Sequence, residues 1–114
     1  MNMPKIILFG YMLLILIMSL IPGKSLESIE ILSQDKILHF IEYSILGVLG
    51  FKAFSDLKKS VLIVIFFGTS FGCLNELIQI LIPGRTPSLY DSLANLLGVS
   101  CGTIYSSFNK KNIL

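Results

Sequence analysis

In this chain of 114 residues, 54% are hydrophobic and only 14% charged, at a mean hydropathy of +0.81. A soluble domain carries about 25% charged residues, so an ordinary water-facing surface is excluded, and the length allows one domain, 1–114. A net charge of +2, with no basic run and no interleaving of aromatic and basic residues, excludes nucleic acid and leaves the lipid bilayer as the partner.

The first apolar segment, Ile6–Ile21, contains no charge and is stopped by Pro22-Gly23. Lys5 in front of a short apolar core also fits a signal peptide, but no convincing small-x-small cleavage site follows. Leu26, Ile29 and Leu32 then recur at three-residue spacing among Ser and Glu, which suits either a helix lying on the membrane surface or a plain loop. The second segment, Ile37–Phe54, carries His39, Glu42 and Lys52. The third, Val61–Ile82, is the clearest spanning helix and ends at Pro83-Gly84; crossing the hydrocarbon core takes about 20 residues. The fourth, Ser88–Phe108, carries Asp91 and Asn95. The fold expected is all-α: a polytopic membrane protein with a bundle of four transmembrane helices near 4–21, 36–55, 60–82 and 88–108. Cys73 and Cys101 lie within these apolar stretches without metal-ligand spacing and read as small buried or lipid-facing thiols. No internal repeat or low-complexity segment is visible.

Orientation follows from the basic residues flanking each span. Lys5, Lys52, Lys58, Lys59, Lys110 and Lys111 fall on one side, and Lys24, Lys36 and Arg85 on the other. That asymmetry predicts a multi-pass protein of a cytoplasmic membrane with both termini in the cytoplasm.

An ionisable residue inside a spanning helix costs roughly 2.5–3.5 kcal/mol to insert, so it usually faces the bundle interior. Here such residues fall on narrow stripes. Asp35, His39, Glu42 and Tyr43 share one arc of about 100° on the second helix. Gly68, Gly72, Asn75, Glu76 and Gln79 share one on the third, and Ser88, Asp91, Asn95, Gly98 and Gly102 one on the fourth. The Gly68-x-x-x-Gly72 and Gly98-x-x-x-Gly102 pairs let helices approach closely, within the chain or between copies in a homo-oligomer. Counted along the helices, the polar groups of all three reach one layer, in the outer third of the membrane.

The run Asp35-Lys36-Ile37-Leu38-His39-Phe40-Ile41-Glu42-Tyr43, then Gly47, resembles the first signature of the VanZ-like family. Asn75-Glu76-Leu77-Ile78-Gln79, then Pro83-Gly84-Arg85, Asp91, Asn95, Gly98 and Gly102, is similar to its second. The resemblance covers almost the whole chain. Asn75 is a departure, standing where many relatives carry Asp, and it leaves Glu76 as the main acid of the third helix. The resemblance implies a bacterial envelope protein. The family's founding member is associated with lowered susceptibility to the glycopeptide teicoplanin, a phenotype of the outer membrane face.

His39, Glu76 and Asp91 are the candidate catalytic groups. His39 is the only histidine, with an ordinary pKa near neutrality suited to proton transfer. Arg85, Lys36, Asp35, Tyr43, Glu42, Gln79 and Asn95 are the candidate substrate-binding groups, with Arg85 and Lys36 suited to phosphate or carboxylate. Each has a plainer reading: Ser88-x-x-Asp91 is a capping-box spacing, Asp35 suits a helix N-cap, and Arg85 suits a headgroup. With one histidine no metal site is expected, and no cofactor is implied. Two functions follow from these residues. One is binding or transformation of an anionic, lipid-linked or cell-wall precursor. The other is a non-catalytic membrane protein that alters the envelope or assists a partner, its polar cluster being interhelical glue.

Overall fold

The computed structural model describes residues 2–20, 35–81 and 89–113, and among these the chain is all α with no strand. Four helices follow one another: α1 (Met3–Ser19), α2 (Asp35–Phe54), α3 (Ser60–Gln79) and α4 (Leu89–Ile113). The Asn2 side chain caps α1 by accepting from the Lys5 amide at 3.2 Å, and Pro4 occupies the first turn, where its missing N–H costs nothing. Lys59 takes the left-handed conformation (φ 57°) to turn the chain sharply into α3. α3 stops at Gln79, earlier than the apolar run itself, and Ile80-Leu81 form a turn. α4 runs past Phe108 to Ile113, because Asn109-Lys110-Lys111-Asn112 ends the apolar run without breaking a helix. The segment of Leu26, Ile29 and Leu32 lies outside the described residues.

The closest packing is between α2 and α4, and it is parallel. His39 pairs with Asn95, and Thr103 Oγ1 donates to the Gly47 carbonyl at 3.5 Å, both at a separation of 56 residues. Small residues make this approach possible. A methyl group at Gly98 would lie 2.5 Å from the Phe40 carbonyl oxygen, and one at Gly102 would strike the Ser44 carbonyl. One at Gly47 would strike the Val99 carbonyl. α3 joins through Gly68, set against the Val99 side chain, and Gly72, set against Asn95 and Tyr43. α1 joins by its Leu8 and Ile15 side chains and by Tyr11, whose hydroxyl donates to the Glu42 carbonyl at 2.8 Å. The glycine pairs expected to bring helices together therefore do so inside one copy of the chain.

Two short strings recur along the chain. Leu20-Ile21-Pro22-Gly23-Lys24 follows α1 and Leu81-Ile82-Pro83-Gly84-Arg85 follows α3. Asp35-x-x-x-His39 then opens α2 and Asp91-x-x-x-Asn95 opens α4. Each half is one helical hairpin, and the equivalent residues His39 and Asn95 meet where the halves join.

Polar and apolar residues are distributed the opposite way from a soluble protein. Asn75, Glu76, Gln79, Asp91, Asn95 and Thr103 are buried, while Phe66, Phe67, Leu74, Leu77, Leu97 and Ile104 face outward. Among the described residues, two segments are long and apolar enough to cross a membrane, Ile37–Phe54 of α2 and Ser60–Gln79 of α3. α1 is apolar but shorter, at 17 residues.

Candidate functional site

Three helices deliver polar side chains to one end of the bundle because each reaches that end on its glycine-bearing, inward face. α3 arrives there with its last turns, α2 and α4 with their first. Asn75, Glu76 and Gln79 are buried on α3; Asp91 and Asn95 are buried on α4; Tyr43 is only 1% exposed on α2. His39 and Glu42, one turn on either side of the α2 seam, are half-buried.

The hydrogen bonds fall into two linked groups. His39 Nδ1 lies 3.0 Å from Asn95 Oδ1. An amide oxygen only accepts, so at this contact Nδ1 is the donor. Sequence reasoning looks for a carboxylate in this orienting role; on Nδ1 the geometry supplies the Asn95 amide instead. The second group is deeper. Asn75 Nδ2 donates to the Tyr43 hydroxyl at 2.8 Å, and Asn75 Oδ1 accepts from Ser19 Oγ at 3.3 Å. Ser19 also donates to the Ile15 carbonyl at 2.9 Å. Asn95 and Tyr43 both flank Gly72, where a methyl group would sit 3.1 Å from Asn95 Nδ2 and 3.2 Å from Tyr43 Cε2. One glycine thus lets the His39–Asn95 pair and the Tyr43–Asn75–Ser19 chain share a floor.

Of the residues singled out from sequence, His39, Tyr43, Glu76, Gln79, Asp91 and Asn95 lie in this end of the bundle, with Glu42 giving its backbone carbonyl to Tyr11. Arg85 lies outside the described residues. Asp35 and Lys36 open α2, and their side chains lie outside the described residues as well. The hydroxyl of Tyr43 is engaged inside the bundle with Asn75. Ser19 was not anticipated, nor was the part that α1 plays here. The signal available was a single serine in an otherwise apolar run. Thr103 is a further buried hydroxyl that sequence reading missed; it donates to the Val99 carbonyl at 2.6 Å. Among the described residues no three of His, Cys, Asp and Glu stand together as a metal would require. Cys73 and Cys101 are free thiols on the outward surface.

Chemically, this end offers a histidine held by Asn95 and, on the two neighbouring helices, two acids held out of water. Glu76 and Asp91 are 7% and 5% exposed. Histidine and carboxyl side chains are the groups that carry proton transfer and polar recognition. It has no nucleophilic elbow, phosphate loop or redox pair among the described residues.

Comparison with curated proteins and with solved structures gives no match. The family model described as VanZ/LLP1 matches residues 4–109, a span that takes in all four helices and both polar signatures. With that match over nearly its whole length, the chain belongs to the VanZ/LLP1 family.

Proposed function

We propose that the chain is a four-span protein of a bacterial cytoplasmic membrane, with both termini in the cytoplasm. Its polar end, at the outer face, binds or acts on an anionic, lipid-linked or cell-wall precursor. The observation that carries this reading is the convergence of His39, Glu76 and Asp91 from three helices on one end of an apolar bundle. Keeping acids there opposes insertion by roughly 2.5–3.5 kcal/mol each. A bundle needing only cohesion would manage with the amide and hydroxyl bonds of Asn75, Tyr43 and Ser19. In this reading His39 moves the proton through Nε2, with Asn95 holding the ring and Glu76 and Asp91 setting the local field. Arg85 and Lys36 supply the charge for phosphate or carboxylate. Family membership supports the envelope setting, and lowered teicoplanin susceptibility is the phenotype to look for.

A second reading draws on the interhelical bonds themselves. Asn95, Asn75, Tyr43 and Ser19 each bond across helices, as interhelical glue would. The protein would then alter the envelope or assist a partner without chemistry of its own.

The test is teicoplanin susceptibility of a sensitive Gram-positive host expressing the wild type, His39→Gln or Arg85→Lys, with membrane levels measured by blotting. Protection by wild type and its loss in equally abundant variants supports a site. Equal protection by all three makes the cluster architecture and removes the first reading. Glue tolerates Gln at 39 and Lys at 85, whereas proton transfer and bidentate recognition do not.

A further inference from the structure

The opposite end of the bundle carries a feature that the polar cluster does not use. α1 and α3 barely touch each other, and α2 holds them apart. The gap is a cavity of about 340 Å³ lined by Leu8, Phe9, Met12, Phe54, Val64 and Phe67 among others. Its wall is almost wholly apolar. A volume of this size falls within the range of about 300–1,000 Å³ typical of small-molecule sites. It opens sideways between α1 and α3, since Phe9 and Phe67 line it and are also exposed on the outer surface. In a bilayer that opening faces acyl chains, not water.

The mouth of the cavity toward the α2–α3 turn is charged. Lys5 reaches over the ring of Phe54, with Nζ 5.5 Å from its centroid, and Phe54 is part of the wall. Leu57 also lines the cavity, and Lys58 and Lys59 follow it directly in the turn, with Lys52 in the last turn of α2. Asp56 is the one acid among the described residues of that turn. The start of α3 adds its backbone amides to the same place, and Lys59 at its N-cap makes no side-chain capping bond. Dry apolar wall and cationic rim together match the two parts of one molecule.

We propose that this groove holds one acyl chain of an anionic phospholipid, drawn from the leaflet on the lysine side, with its phosphate against Lys5, Lys58 and Lys59. The chain fills the gap that α1 and α3 leave, and the headgroup meets the rim charge that a zwitterionic lipid would neutralise less well. This assignment stands on the opposite end of the molecule from the polar cluster, and it holds whether that cluster is a site or glue.

The experiment reconstitutes the full chain in vesicles of equal phosphatidylglycerol and phosphatidylcholine, then counts retained lipids by native mass spectrometry. The expected result is one phosphatidylglycerol held per chain, preferred over phosphatidylcholine by at least fivefold. Lys5→Gln combined with Lys58→Gln and Lys59→Gln, all at the rim, should bring that ratio near one while a lipid is still held. Met12→Trp, which fills the groove, should hold none. Equal retention of both lipids by the wild type overturns the proposal, as does an unchanged preference in the lysine variant. A lipid-free dimer would also overturn it, showing that a second copy covers the groove.

Discussion

Asn75 makes two of the interhelical side-chain hydrogen bonds. Its amide both donates, to Tyr43 on α2, and accepts, from Ser19 on α1, so one neutral side chain links three helices. Asp at this position would lose the donor half and add a second acid beside Glu76. Removing the Tyr43 hydroxyl tests how much the link contributes. Measured interhelical bonds in membranes average about 0.6 kcal/mol and reach about 1.7. The Tyr43 ring is almost fully buried, and Tyr43→Phe strands the amide N–H of Asn75. Tyr43→Phe is therefore expected to cost about 1 kcal/mol in a denaturant titration of the reconstituted protein. Tyr105→Phe, with that ring largely exposed, should cost nothing measurable. A shift at Tyr105 equal to that at Tyr43 would mean the bond does not matter. The stripes that placed Tyr43, Asn75, Glu76 and Asn95 inward were legible from sequence, because helical periodicity sets which face a side chain shares. Who bonds to whom was not. The choice of Asn95 over an acid for His39 Nδ1 depends on rotation and height of two helices, which residue type does not encode.

At the scale of helices, the α2–α4 seam is made of backbone meeting backbone. Gly98 and Gly102 lie against the Phe40 and Ser44 carbonyls, and Gly47 against that of Val99. A carbonyl cannot swing aside as a side-chain tip can, so a methyl group there must push two helices apart. Gly102→Ala is expected to destabilise the bundle by about 1–3 kcal/mol, the usual range for overpacking. Gly10 offers the control, since a methyl there meets nothing within 4 Å. Gly10→Ala should be neutral or stabilise by about 0.5–1 kcal/mol through helix propensity. The same unfolding titration reads both, and similar values for the two would refute the seam as the close contact. The four elements were legible because Pro22-Gly23 and Pro83-Gly84 punctuate long apolar runs. The parallel pairing of α2 with α4 was not, because it rests on contacts between residues 56 positions apart.

For the whole molecule, topology turns on the number of helices that cross. α2 and α3 qualify by length and apolarity. α1, with 17 residues, is about 25 Å long against a hydrocarbon core of about 30 Å. Yet it lies alongside α2 and ends at the layer of Asn75, so its exposed Leu13, Leu14 and Ile17 stand at the same depth as the two candidate spans. α4 fails a hydropathy average because that average counts side chains facing inward as if they faced lipid. Its Asp91, Asn95 and Thr103 are buried, while Leu93, Leu97, Ile104 and Phe108 form its outer surface. The outward residues of α4 are mainly apolar, with Tyr90 and Tyr105 among them, and this supports the proposal of four crossings. Four crossings put the α2–α3 turn and the C-terminus on one side. Reporter fusions after Asp56 and after Leu114 are therefore both expected to score as cytoplasmic, an enzyme active only outside the cell staying silent at each. If only α2 and α3 crossed, Asp56 would still report the cytoplasm but Leu114 would report the outside. That outcome would leave α4 on the outer surface with its apolar side chains unburied by lipid, and the four-span proposal would fall.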